Sequence, residues 1–338
     1  MFSDSYKQQF VRASQALDQK TKPPSSLGEL EQLAAQLSAI QQTLEPVIST
    51  GRTLIFAGDH GVIEEGVSAY PQEVTHQMLL NFASGGAAVN ALCKANHMEL
   101  EVINTGVIGE AVPGVLHEKI ADGTANIAVS AAMNEAHLQS ALDIGRRAVI
   151  RASSDNIPLL AVGEMGIGNT TAAAAIVSAL TGAPAERTTG RGTGLDDAGV
   201  MHKRQIVNRA LTLHSDREPF AVLRCLGGFE IAAMTGAMLE AHEHRICVIV
   251  DGYIATAAAL AAVASKPSSR ENLVFSHQSV EPGHRIALEH LQARPLLQLA
   301  LRLGEGSGAT LAVPLLRSAV AILREMATFE NAGVDREL

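Results

Sequence analysis

The chain has 338 residues, 47% of them hydrophobic and 18% charged, enough to bury a sizeable core in one large α/β domain with an appendage or in two domains. A net charge of −9 with no lysine- and arginine-rich block argues against a DNA or RNA partner and leaves a small molecule as the expected ligand. The longest apolar stretch, 255–264, is too short and too alanine-rich to span a bilayer, no signal peptide is visible, and Cys93, Cys225 and Cys247 lack paired metal-ligand spacing, so the expectation is a cytoplasmic protein with buried thiols and no metal.

In chain order, residues 1–25 are largely polar and close on Lys22-Pro23-Pro24-Ser25, where the prolines disfavour helix and imply an extended connector. A helix follows, because Ser26 and Glu29 have the spacing of a capping box and Leu27, Leu30, Leu33, Leu37 and Ile40 fall on one helical face. The run 53–59 reads as a buried strand that ends in Gly58 and Asp59 and leads into His60. Similar apolar runs recur over 100–104, 158–163, 246–251 and 273–276, with helical patterns over 73–95, 134–151, 170–180, 199–213 and 229–241. This alternation predicts an α/β fold, a parallel sheet with helices on both faces, whose ligands bind beyond the carboxyl ends of the strands. Asp59, Glu164, Asp251 and Ser276 then share one rim. The last helix, over 309–327, carries Val313, Leu316, Val320 and Leu323 as a stripe and tolerates Pro314 near its start. It is expected to pack on the helix after Ser26, so that residues 1–48 and 309–338 form a small helical domain and residues 49–308 a large substrate-binding domain.

The stretch Gly163-Glu164-Met165-Gly166-Ile167-Gly168-Asn169-Thr170-Thr171 closes an apolar strand and opens an alanine-rich helix. Glycines let a ligand come close to the backbone, and the amides and positive dipole end of the helix favour an anion, so a phosphate is the natural guest. The glycine spacing is that of a P-loop, but Asn169 stands where that motif needs lysine, which argues against triphosphate hydrolysis. A plain tight turn is the alternative.

Glu305 lies in the run Gly304-Glu305-Gly306-Ser307-Gly308, with Leu301 and Leu303 just before it. Apolar surroundings raise a carboxylate's proton affinity and fit it for use as a general base, against the alternative of a solvated surface glutamate. Glu164 is a second such carboxylate, or a partner of the helix dipole. The flexible run 190–197 leads into a helix with Lys203, which either supplies positive charge to a phosphate at 166–171 or is a solvated helix residue. Asp59 and His60 have no second histidine at ligand spacing, and a strand-end carboxylate holding a loop or a ribose hydroxyl fits better. Ser307 is no nucleophile elbow, since Glu305 stands where that turn needs glycine, and no Gly-x-Gly-x-x-Gly follows the first strand.

Gly58-Asp59-His60-Gly61-Val62, Tyr70-Pro71-Gln72-Glu73-Val74-Thr75, the glycine stretch 163–171 and Arg302-Leu303-Gly304-Glu305-Gly306-Ser307-Gly308 occur in that order. Together they resemble the nicotinate-nucleotide:dimethylbenzimidazole phosphoribosyltransferase family, from Lys22 to the last helix. The resemblance implies a homodimer, each subunit having a large Rossmann-like parallel-sheet domain and a small helical domain from both chain ends, with no metal and no separate cofactor. It implies transfer of phosphoribose from nicotinate mononucleotide to 5,6-dimethylbenzimidazole, the step that makes α-ribazole 5'-phosphate for the lower ligand of cobalamin. By the same resemblance Glu305 falls on the catalytic base, and Glu164, Gly166 and Lys203 on residues around the ribose and phosphate. Gly168, Asn169, Thr170 and Thr171 belong to the same phosphate loop, and Ser276 to another segment of that site. Tyr70, Met78 and Leu303 are expected to line the aromatic base pocket. Some members carry a serine and a glutamine where Tyr70 and Met78 stand, so the same chemistry on adenine, a phenol or another benzimidazole is the alternative. A nucleotide-binding module without catalysis is the alternative of a different class.

Overall fold

Strands whose every residue is buried need cover on both faces, and the strands Arg52–Gly58 (β1) and Leu159–Met165 (β4) are buried throughout. They lie at the centre of a six-stranded, all-parallel sheet of order β3-β2-β1-β4-β5-β6, with Glu99–Gly106 (β2), Leu116–His117 (β3), Cys247–Val250 (β5) and Leu273–Phe275 (β6). The computed structural model describes residues 2–335; residues 1 and 336–338, inside the boundaries expected for the small helical domain, lie outside the described residues.

The helices are Asp4–Asp18 (α1), Glu29–Gln41 (α2), Val74–Ser84 (α3), Ala88–Ala95 (α4), Glu135–Ser154 (α5), Asn169–Thr181 (α6), Ala185–Thr188 (α7), Asp197–Leu213 (α8), Pro219–Leu226 (α9), Phe229–Glu243 (α10), Tyr253–Ser265 (α11), Pro282–His290 (α12), Ser307–Glu325 (α13) and Phe329–Ala332 (α14). Alternation along the strands sorts their side chains between two cores. Leu54, Phe56, Leu160, Val162, Val248 and Val250 face α5, α6, α10 and α11, while Ile55, Ala57, Leu159, Ala161 and Ile249 face α2, α4 and α13. Sheet order reverses between β1 and β4, which opens a crevice at their carboxyl ends.

α13 packs on α2, as its apolar stripe predicts, and a buried contact of 2.9 Å between the hydroxyls of Thr53 and Thr310 ties it to β1. By length and composition alone α13 would cross a membrane, with a mean hydropathy of 1.2, yet Ala309, Ala312, Val313, Leu316, Ala319 and Val320 are buried in the protein.

Two local readings of the sequence, the capping box and the unbroken helix over 73–95, are corrected, and two helices it left unassigned are added. Residues 4–18, read from the sequence only as largely polar, form a helix: Ser3 caps it by accepting from the Tyr6 amide, and Tyr6, Gln9, Ala13 and Leu17 form its buried stripe. The capping box at Ser26 and Glu29 is absent, because α2 starts after Gly28 and Glu31 reaches back instead, accepting from the Leu27 amide at 2.9 Å and pairing with Lys22. The helical pattern 73–95 breaks at Gly85, where a left-handed φ of +82° ends α3. The alanine-rich stretch 255–264 is the buried helix α11.

Candidate functional site

Gly163 in β4 permits the contact on which the site is built. A side-chain carbon at this position would lie 2.0 Å from the Gly306 nitrogen and 2.4 Å from its Cα, so the loop before α13 rests directly on the strand. Gly304, Glu305 and Gly306 are all left-handed there, with φ of +80°, +60° and +66°. A non-glycine residue in this region costs roughly 1–2 kcal/mol, and the bend brings the Glu305 carboxylate back into the protein, where it is only 8% exposed. Glu164 lies beneath: a side-chain carbon on Gly304 would come within 2.4 Å of its Oε1. Asp251, at the end of β5, fastens the start of α13 by accepting from the Ala309 amide at 2.9 Å and from the amides of Gly308 and Gly252.

The electrostatics follow from burial. It pushes Glu164 up to about 8, helped by the charges of Glu230, Asp251 and Glu305 and opposed by the Asn169 amide, which donates to Glu164 Oε2. Burial, with Asp251 nearby, pushes Glu305 up to about 7. Lys203 is pulled down to about 8 by burial, against the attraction of Glu281, and donates to Thr170 Oγ1 at 2.6 Å in the first turn of α6. Two carboxyls, one cation and a helix N-terminus therefore share one rim with proton affinities near neutrality. That arrangement suits an anionic ligand beside a general base.

A buried carboxyl whose proton affinity is raised from 4.5 to about 8 makes the fold bind more protons than the unfolded chain between those values, so stability falls as pH rises through that window. Glu164→Gln removes the titration. We expect the variant's melting temperature to gain on the native protein's between pH 5 and pH 8; an offset equal at both ends would mean Glu164 is not held neutral.

The cavity between these groups, about 80 Å³, is lined by Glu164, Gly166, Asn169, Thr170, Leu303 and Glu305 among others. Through Gly192, Glu281 and Arg302 it joins a broader cleft of about 850 Å³ under the 190–197 run. Most of the residues singled out in the sequence thus come together. Gly168 and Thr171 sit in the turn and first helical turn behind the cavity wall, Thr171 fully buried. Ser276 is also buried behind the wall, donating to the Asp251 carbonyl at 3.1 Å and lying 2.9 Å from His277 Nδ1, and it is His277 that lines the cavity. Tyr70, just before α3, is 51% exposed and Met78 lies half-buried on α3, neither among the lining residues; α3 meets the site through Thr75, whose hydroxyl accepts from the Ile167 amide at 3.1 Å. Asp59 holds a loop, as a strand-end carboxylate can, by accepting from the Ile108 amide at 2.8 Å. His60 is paired with Glu230 at 2.7 Å.

Several lining residues escaped the sequence reading, Glu281, Arg302 and His277 among them. Glu281 accepts from the Gly192 amide at 2.9 Å, and its one signal is an acid placed just before Pro282 at a helix start. Arg302 lines both cavities and stood unremarked within a glycine motif, and His277 was overlooked beside Ser276. Among the described residues no group of three or more His, Cys, Asp or Glu side chains converges as a metal site, and the cysteines are free and buried.

A doubly wound α/β sheet with two carboxyls raised towards neutrality, a buried lysine and a helix N-terminus at its switch point has the form of an anion-binding site of the α/β nucleotide-handling class. A family model described as phosphoribosyltransferase matches residues 4–334. The chain belongs to that phosphoribosyltransferase family. It is 53% identical over 320 residues to a nicotinate-nucleotide–dimethylbenzimidazole phosphoribosyltransferase of Pseudomonas putida (strain W619), covering 94% of this chain and 91% of that one. A protein of the same name from Ralstonia nicotianae is 50% identical over 332 residues, with 97% and 94% covered. The crystal structure of CobT from Thermus thermophilus superposes with a TM-score of 0.94 at 48% identity, covering 98% of this chain and all of that one.

Proposed function

We propose that this chain transfers the phosphoribosyl group of nicotinate mononucleotide to 5,6-dimethylbenzimidazole, giving α-ribazole 5'-phosphate and nicotinate; its relatives are named as nicotinate-nucleotide–dimethylbenzimidazole phosphoribosyltransferases. The observation that carries the reading here is Glu305, a carboxyl with a proton affinity of about 7 set over a cavity that ends at a helix N-terminus. In this reading the nucleotide's phosphate lies at the Gly166–Thr171 turn with Lys203, and Glu164, in its acid form, donates to a ribose hydroxyl. One benzimidazole nitrogen attacks the anomeric carbon from the face opposite the nicotinate, which inverts the sugar to the α anomer. The bonding pair of the breaking bond returns to the pyridinium nitrogen, so nicotinate leaves without needing an acid. Glu305 takes the proton from the other benzimidazole nitrogen.

Leu303 is the inner wall of the base site in this scheme, with Tyr70 and Met78 its outer wall at α3. Residues 1–48 and 309–338 act as a small helical domain against the large one, two copies pair as a homodimer, and the enzyme works in the cytoplasm with no cofactor. The test is release of nicotinate from nicotinate mononucleotide by purified protein, with and without dimethylbenzimidazole, followed by the product's mass. Release that depends on the base and yields the mass of α-ribazole 5'-phosphate is expected. Binding of the nucleotide with no release on any aromatic base would defeat the reading.

A further inference from the structure

Beneath the turn at Gly166 lies a buried histidine–glutamate pair that the scheme above does not use. His60 follows β1 and Glu230 lies in the first turn of α10; both are completely buried, with Nε2 and Oε1 2.7 Å apart. A buried ion pair is a poor stabiliser compared with an apolar pair of the same volume. Yet the surrounding backbone is shaped to hold it. A side-chain carbon on Gly58 would lie 2.9 Å from Glu230 Oε2, and one on Gly228 would lie 2.3 Å from His60 Cε1 and 2.5 Å from Glu230 Oε2. From above, the turn sits on the same ring: a carbon on Gly166 would meet His60 Cδ2 at 3.4 Å and Asn169 Nδ2 at 3.4 Å, and one on Gly168 would meet His60 Cβ at 3.4 Å. The imidazole thus lies against the turn that carries Asn169, whose side-chain amide donates to Glu164.

We propose that His60 and Glu230 are positioning residues for the reaction, holding the Gly166–Asn169 turn from below and, through Asn169, the Glu164 carboxyl to which it donates. The inference rests on the phosphoribosyl-transfer reading. After burial, Glu230 is the strongest influence retaining the proton on Glu164; Asp251 from the end of β5 and Glu305 from the loop before α13 act in the same direction, and Asn169 from α6 acts against it. Burial alone would lower the proton affinity of His60, but Glu230 and Asp59 outweigh it and hold His60 above its ordinary value. Lys203, pulled to about 8 on the far side of the turn, also titrates in the alkaline range, but Glu230 is not among the groups acting on it. Removing the Glu230 charge therefore acts on the alkaline limb through Glu164.

The experiment is the pH profile of kcat/KM for nicotinate mononucleotide, read by base-dependent nicotinate release. If the native protein shows no such release, the functional reading fails and not this inference. Given release, Glu230→Gln is expected to move the alkaline limb down by at least half a pH unit and to leave the acid limb in place. In a Glu164→Gln background the same substitution is expected to move neither limb. Glu230→Asp keeps the charge but draws back from His60, so its limb stays where the native one is while KM for the nucleotide rises several-fold. A folded Glu230→Gln protein with an unmoved alkaline limb overturns the proposal, as does a shift that persists when Glu164 is already glutamine. Should Glu230→Gln not fold, Glu230→Asp decides: an unchanged KM refutes the pair's hold on the turn.

Discussion

Glu305→Gln is expected to lower kcat by about 10²–10⁴-fold, the usual range for loss of a general base, while the affinity for nicotinate mononucleotide changes little. Glutamine keeps the volume and the left-handed backbone of the native residue, so the loop over β4 stays seated. What it lacks is a site for the benzimidazole proton. As the proposed base, the carboxyl is also expected to set the acid limb of the native pH profile: it must be ionised to act, and burial with Asp251 holds it up to about 7, so the rate should climb with pH through that value. In Glu305→Gln this limb is lost along with the rate. Single-turnover measurements separate chemistry from nucleotide binding; a variant that turns over at the native rate would remove Glu305 from the mechanism.

Gly163→Ala is the second large expected effect, and it acts without touching a functional group. The added carbon would stand 2.0 Å from the Gly306 nitrogen and 2.8 Å from the Glu305 carbonyl carbon. Both obstacles are backbone atoms, so no side-chain rotation relieves the clash. The loop must lift off the strand, which carries Glu305 away from Glu164 and strains the Asp251 bond to the start of α13. Overpacking of this kind costs about 1–3 kcal/mol and at times more, and an ångström of misplacement at a general base costs roughly 10²-fold in rate. Unfolding in denaturant and kcat should therefore fall together. Native values for both would mean that the loop does not rest on β4 in solution.

How much of this was legible from residues alone follows from what each feature depends on. The central strands could be read because burial on both faces leaves continuous apolar runs, as over 53–58 and 159–163. β3 could not, being two exposed residues long, and α1 escapes notice because its helically spaced stripe of Tyr6, Gln9, Ala13 and Leu17 includes a polar residue and is set in a largely polar segment. Glu305 stood out by its glycine neighbours. Its own left-handed φ did not, since that depends on Gly163 lying beneath it, far away in sequence. The same holds for His60 and Glu230, which belong to different elements and meet only once β1 and α10 are packed. Resemblance suggested Tyr70 and Met78 for the base pocket, and the helical pattern over 73–95 already put them before and on a helix; what residue type and spacing could not tell is that both stand outside the cavity lining.

The packing of α13 on α2 also bears on how the molecule is made. A ribosome delivers α2 early and α13 near the end, so the sheet face formed by Ile55, Ala57, Leu159 and Ala161 has no complete cover until the C-terminal segment has emerged. The emerging polypeptide therefore carries a large greasy surface through most of its synthesis, the state in which nascent chains most need a holding chaperone. The segment that ends this exposure also brings Glu305, so the covering of this sheet face and the arrival of the proposed base fall in the same late step.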